Sequence, residues 1–173
     1  MAAIATSTLR GTGGASNDPR AGKYLTFHLG REEFGVTVAK IREIMSLQQI
    51  TAVPHTPVYV KGVINLRGKV IPVVNLRLKF GMPEAEFTQR TCIIVTEVKL
   101  ESHTVLMGVL VDDVSEVLML GDQDIQDTPE FGDGHVPPGV LGVAKSKGQV
   151  KILLDIDHVL TSQDLIQIEA ALQ

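Results

Sequence analysis

Five histidines, one cysteine and several neighbouring carboxylates are the residues of this chain that could do chemistry, and their spacing decides whether they do. His28, His55, His103, His135 and His158 stand apart, with no second His, Cys or close carboxylate at the intervals a metal site needs. His28 alternates with apolar neighbours, which places it on a strand surface. Asp122, Asp124, Asp127 and Asp133 are only vaguely like a calcium loop. Such a loop needs Gly at its sixth position and Glu at its twelfth, and here those are Asp127 and Asp133. A solvated acidic loop is the plainer reading. Cys92 lies in the apolar run Cys92 to Val95, without the exposure and cationic neighbour that a thiolate nucleophile needs. Asp112-Asp113 is a candidate acid/base pair, weighed against two solvated turn carboxylates. Gly11-Thr-Gly-Gly14 has no strand before it and no Gly-Lys-Ser/Thr after it, so it makes a poor phosphate loop. There is no Gly-x-Ser-x-Gly elbow, no kinase signature set and no Walker sequence. The pattern implies no catalytic group, no metal and no cofactor, and points to a binding module.

The residues suited to recognition are fewer. Glu43 and Arg67 form the sharpest pair. On one surface they would make an ion pair worth about 0–1 kcal/mol if merely exposed, and would present it to a partner. Gly62 precedes the hairpin that carries Arg67. It either takes positive φ or admits another backbone, or it is a plain turn glycine. Ile41, Ile44 and Val117 are candidates for an apolar groove that receives a partner helix, with burial in the core as the alternative.

The element that positions Arg67 is the stretch Gly62 to Arg77. Two β-branched runs flank Arg67-Gly68-Lys69, the pattern of a β-hairpin whose tip carries two cations. Its second arm, Val70 to Val74, is apolar almost throughout and is expected to be buried on both faces, with Pro72 favouring an edge or a bulge. Tyr24 to Leu29 alternates as a half-buried strand and pairs with Phe34 to Val38. Val38, Ile41, Ile44 and Met45 recur at helical or irregular spacing. Ile50 to Val53 reads as a short strand ended by Pro54 and Pro57. Leu76 to Phe80 suggests one helical turn. Strands are expected at Thr91 to Val98 and Thr104 to Val111, a long acidic loop over 121–138, and a last hairpin from Val140 to Leu154. Two helices follow, Asp155 to Leu160 and Gln163 to Leu172, the second with Ser162 as its N-cap and Asp164 in its first turn.

Composition narrows the class. The chain has 173 residues and is 44% hydrophobic, enough for a packed core. Aromatics are 4% and Trp is absent, which argues against stacking platforms. A net charge of −4 argues against a nucleic-acid surface or an anionic membrane patch. A single cysteine fits a reducing cytoplasm. No run approaches the about 18 apolar residues of a spanning helix, and no signal peptide is visible, so a cytoplasmic protein without direct membrane insertion is expected. Residues 1–20 lack core-forming side chains and are expected to be a disordered arm.

The chain repeats itself. The pattern Gly-Val-x-Val-x-x-apolar-x-Glu-apolar holds from Gly35 and again from Gly108, 73 residues on. Gly62-Val-Ile has an echo in Gly139-Val-Leu, 77 residues on. Glu43 and Glu116 are paired by the pattern, whereas Arg67 has no clear charged twin, which makes the first tip the specialised one. Two related units of short strands suggest two small barrels with a cleft between them, a natural seat for a partner.

The residues also carry a resemblance. Tyr24-Leu-Thr-Phe-His-Leu-Gly, Phe34-Gly-Val-Thr-Val, Ile41-Arg-Glu-Ile, the block from Thr56 to Arg77 and Gly108-Val-Leu-Val-Asp-Asp-Val-Ser-Glu-Val together look like CheW, the chemotaxis coupling family, from about residue 22 to 160. The block Gly-Val-x-Asn-Leu-Arg-Gly-x-x-x-Pro-Val-x-Asn/Asp-Leu-Arg is specific to CheW-like domains. The resemblance implies an all-β fold of two pseudo-repeated five-stranded SH3-like β-barrels with short helices and a C-terminal helix. It implies a CheW-like domain over residues 21–161, with a first barrel mainly in 22–82, a second mainly in 90–148, a strand and helix after 149 packing back, and a C-terminal helix over 162–173. It implies a cytoplasmic adaptor, not an enzyme, that links the histidine kinase CheA, through its regulatory domain, to the cytoplasmic tips of methyl-accepting chemoreceptors in signalling arrays. The receptor-side surface falls on Ile41, Glu43, Gly62, Arg67 and Val117; no kinase-side residue is assigned. The same domain occurs in CheA and CheV, but neither a kinase nor a receiver fits in this length. A coupler of another chemosensory system, such as surface motility, is the alternative, followed by a small-molecule-binding double barrel and a peptide-binding scaffold outside chemotaxis.

Overall fold

A computed structural model describes residues 18–128 and 139–171. Most of the expected N-terminal arm, the later part of the acidic loop with Asp133 and His135, and residues 172–173 lie outside the described residues. The chain forms β1 (Gly22–Leu29), β2 (Glu32–Thr37), a 3₁₀ turn (Val38–Lys40), β3 (Ile41–Ser46), β4 (Val60–Leu66), β5 (Lys69–Asn75) and the short helix α1 (Leu76–Lys79). There follow β6 (Cys92–Lys99), β7 (Thr104–Val111), β8 (Asp113–Leu120), a 3₁₀ turn (Asp122–Asp124), β9 (Ile125–Gln126), β10 (Val140–Ser146), β11 (Gln149–Leu154), α2 (Ile156–Val159) and α3 (Ser162–Ala171).

These strands make two sheets, the walls of two SH3-like barrels. The first runs β9-β10-β11-β2-β1-β8, the second β3-β6-β7-β5-β4. The barrels are not successive stretches of chain, as the division at 22–82 and 90–148 expects. The first sheet joins β1 and β2 to β8, β9, β10 and β11, and the second joins β3, β4 and β5 to β6 and β7. The strands after 149 therefore complete the first barrel. The cause is a strand exchange sealed by two parallel pairings, β2 with β11 (Gly35 opposite Leu153) and β7 with β5 (Gly108 opposite Val73). The chain changes sheets at the 3₁₀ turn before β3 and again at Asp112, between β7 and β8.

The two halves are related position by position. β1 to β5 correspond to β6, β7, β8, β10 and β11, and each sheet lists its five shared strands in equivalent order. Tyr24, Leu120, Ala144 and Leu153 fill the first barrel. Ile64, Ile71, Val73, Ile93 and Val95 fill the second. A shared core between them gathers Leu25, Phe27, Val36, Val74, Ile94 and Val109.

Several local expectations change. β1 is buried on both faces, Tyr24 and Thr26 included, because it lies between β2 and β8. Ile41 to Ser46 is a strand, not a helical spacing; burial alternates along it because it is an edge. Thr51 makes only an isolated bridge to Val63. Pro72 lies in an interior strand, tolerated because the ladder to β7 begins one residue later, at Val73. In the same arm Val70 is exposed. The cap of α3 is Thr161 rather than Ser162: its hydroxyl accepts from the Asp164 N–H (3.1 Å) while the Asp164 carboxylate accepts from the Thr161 N–H (2.9 Å).

Candidate functional site

The hairpin β4–β5 closes through a two-residue tip, Arg67-Gly68, with Leu66 opposite Lys69. Both tip residues have positive φ, 50° and 87°, the backbone of a tight primed turn. The amide of Gly68 donates to the Asn65 side chain (2.8 Å), which fixes the tip. Arg67 is thereby held over the edge strand β3, where it pairs with Glu43. The Glu43 carboxylate beside it raises the guanidinium pKa. Arg67 nevertheless stays 73% exposed, so most of its donors face outward. A cavity of about 470 Å³ opens beside the pair, lined by Arg42, Glu43, Leu66, Arg67, Lys69 and Glu97 among others.

Gly62 is a close-approach glycine. Its φ is 146°, and a Cβ there would lie 2.0 Å from the Thr51 carbonyl oxygen. That approach lets Thr51 and Val63 exchange two backbone hydrogen bonds, 2.8 and 2.9 Å, and so braces the hairpin. Gly62 shapes the site from behind and presents no side chain to a partner.

The apolar candidates divide. Ile44 pairs with Ile94, and Val117 pairs with Leu25. Directly paired residues point to one face, and both partners belong to the shared core. Ile44 and Val117 thus extend the face of that core outward along the edge strands β3 and β8, where they stand 45% and 56% exposed. Ile41 is half-buried against the core itself. Glu43 and Arg67 are brought together as an ion pair; Val117 lies on the other sheet.

The catalytic candidates are structural. Asp112 receives the Arg77 Nε (2.9 Å) and the Gly30 N–H (2.7 Å). The Arg77 guanidinium holds its carboxyl below the usual value, burial opposing and the Gly30 N–H assisting. Asp113 lies 3.6 Å from Arg90, so the two aspartates serve separate ion pairs and form no dyad. Burial pushes the Cys92 thiol up, with Asp113 adding to it. Among the described residues no group of three His, Cys, Asp or Glu could hold a metal ion. No helix among them is long and apolar enough to cross a membrane.

One feature escaped the sequence reading. The hairpin β10–β11 has its own tip, Lys147-Gly148, with φ of 54° and 76°. Lys147 reaches Glu116 on the edge strand β8 at 2.9 Å. Arg67 therefore does have a charged twin. The register also corrects the equivalence of the glycines. Gly62 lies opposite Val73, and the glycine opposite the equivalent Leu153 is Gly142, not Gly139. A Cβ on Gly142 would meet the Gln126 carbonyl oxygen at 2.6 Å, as one on Gly62 would meet that of Thr51. Counting back from the lysine-rich turn, rather than forward from Gly139, would have found the match.

A family model described as CheW-like domain matches residues 23–164. A chemotaxis protein CheW of Rhizobium meliloti is 39% identical over 140 residues, covering 81% of this chain and 88% of that protein. A chemotaxis protein CheW of Klebsiella aerogenes is 33% identical, covering 85% and 86%. Among solved structures, the scaffolding protein TtCheW of Thermoanaerobacter tengcongensis superimposes with a TM-score of 0.68 at 30% identity, over 78% of this chain and 89% of that one.

Proposed function

The chain belongs to the CheW-like family of chemotaxis scaffold proteins, which are adaptors rather than enzymes, and on that premise we propose that it couples methyl-accepting chemoreceptors to a CheA-type histidine kinase in cytoplasmic arrays. The observation that carries this reading is the Glu43–Arg67 pair. A rigid two-residue tip holds a largely exposed guanidinium beside an edge strand, in the position of the family's receptor-side surface. Ile41, Ile44 and Val117 supply the apolar part of that surface along the inter-sheet face, and Gly62 holds the hairpin in place.

The mechanism is physical bridging. A receptor tip docks on the Glu43–Arg67 side while the regulatory domain of the kinase docks elsewhere on the barrels. Receptor binding biases the kinase only by the difference in its affinity for the two kinase states. Each contact is weak by itself, and the array multiplies it through effective concentration.

The test is a reconstitution of kinase autophosphorylation with receptor-bearing membranes. The wild-type protein is expected to raise kinase activity. Arg67→Glu, which places a second carboxylate against Glu43, is expected to abolish that rise while the variant stays folded; Glu43→Lys does the same from the other side. Activation that survives both reversals moves the receptor surface elsewhere. Wild-type protein that neither binds the kinase nor changes its activity refutes the coupling role.

A further inference from the structure

The correspondence between the halves repeats the recognition surface. Glu116 and Lys147 stand where Glu43 and Arg67 stand, each pair joining an edge strand to a hairpin tip with two positive φ values. Val117 on β8 stands where Ile44 stands on β3, and Met119, two residues on, is exposed on the same side. Both walls continue the face of one shared core, one from each sheet. We propose that Glu116, Lys147, Val117 and Met119 form a second recognition wall of the same docking site. Its occupant is an antiparallel pair of helices with apolar stripes and flanking carboxylates, one helix against each wall. This rests on the reading that the Glu43–Arg67 surface receives a receptor tip.

Charge and symmetry select that occupant. Each carboxylate steadies its cation, yet the Arg67 and Lys147 side chains remain 73% and 68% exposed. Their free donors suit carboxylates on a partner, and the exposed Ile44 and Val117 suit its apolar stripe. A single helix has direction and can match one wall only. Two antiparallel helices are related by an approximate two-fold axis, as the walls are, so both can make the same contacts. The lysine at the second tip offers a point charge where arginine offers a fork, so the second wall is the weaker.

The experiment measures binding of a fluorescently labelled, soluble helical-hairpin fragment of a methyl-accepting chemoreceptor tip to the full chain. Wild type is compared with Arg67→Glu, Lys147→Glu, the double variant and Lys99→Glu, an exposed lysine at the end of β6. Thermal melts show that all are folded. Arg67→Glu and Lys147→Glu are each expected to weaken binding about fivefold, the scale of an exposed charge pair. The double variant should be weaker by roughly the product, about 25-fold, because the sites are independent. Lys99→Glu should bind as wild type. Weakening by Arg67→Glu with none by Lys147→Glu overturns the second wall and leaves the first. Equal weakening by Lys99→Glu also overturns it, since net charge alone would then explain the loss. Absent wild-type binding, or binding unmoved by either tip reversal, overturns the receptor-side reading as well.

Discussion

Lys151 is 2% exposed, in the middle of β11, and its Nζ lies 2.5 Å from an oxygen of Glu33 on the parallel neighbour β2. The corresponding pair in the second sheet is Ile71 and Leu106, both packed into the second barrel. One sheet thus buries an ion pair where its twin buries two aliphatic chains. Replacing one partner strands the other charge away from water, which costs about 3–5 kcal/mol. Glu33→Leu should lie at the upper end, because the nearly buried ammonium then has no counter-charge. Lys151→Ile should lie at the lower end, because His28 Nε2, 3.5 Å from the other Glu33 oxygen, can protonate and serve the stranded carboxylate. The double variant Glu33→Leu/Lys151→Ile makes the first sheet resemble the second and should be about as stable as wild type, or more so by about 1–4 kcal/mol. Urea denaturation followed by circular dichroism at neutral pH measures all four proteins, with constant slopes showing comparable unfolding. Single variants that cost less than about 1 kcal/mol, or a double variant that costs the sum of the singles, refute this account of the pair. The pair also sorts the halves. Were β5 to pair with β2, Glu33 would face Ile71, and were β11 to pair with β7, Lys151 would face Leu106. Each mispairing buries a lone charge, a penalty that the double variant removes.

Two further outcomes follow from the geometry. Gly62→Ala should destabilise the hairpin by roughly 3 kcal/mol or more, since the new Cβ meets the Thr51 carbonyl oxygen and the backbone there has positive φ; native-state hydrogen exchange at Val63 should rise, and an unchanged rate would count against the bracing role. Asp112, whose folded pKa is lowered chiefly by Arg77, contributes stability that is fully present above its ordinary value of 3.8 and is lost as the pH falls below that through the lowered one. Acid unfolding of Asp112→Asn should therefore lack part of the stability loss that wild type shows below pH 3.8, and identical acid curves would refute the assignment.

The local architecture was largely legible because it is written in short-range patterns. β-Branched runs around Arg67-Gly68 announced the hairpin and its cationic tip, and the repeat from Gly35 to Gly108 announced two related units. Glu43 was found because it occupies a repeated position. What the sequence hid was pairing across distance. β2 could take β11 or β5 with equal local propensity, and the choice depends on side chains such as Glu33 and Lys151 that meet only in the folded protein. Lys147 was missed because the loops before the two hairpins differ in length, so aligning Gly139 with Gly62 shifted the register and left the second tip unmatched. β1 read as half-exposed because alternation reports polarity, and Tyr24 and Thr26 are polar residues in a central strand. Tyr24 directs its hydroxyl to the Arg20 carbonyl, and Thr26 bonds the backbone of Glu116.

The strand exchange also governs how the protein can be made. Glu33 and Lys151, neighbours in the finished sheet, are 118 residues apart in the chain. At roughly 5–20 residues per second, the first hairpin leaves the ribosome about 6–24 seconds before β11 exists. Throughout that interval Leu25, Phe27 and Val36 lack most of the core they will enter. A chain halted after β5 therefore holds three strands of one barrel and two of the other and can close neither. The molecule becomes a folded object only when nearly all of it has been synthesised, and its early strands depend on whatever shields apolar nascent chain until then.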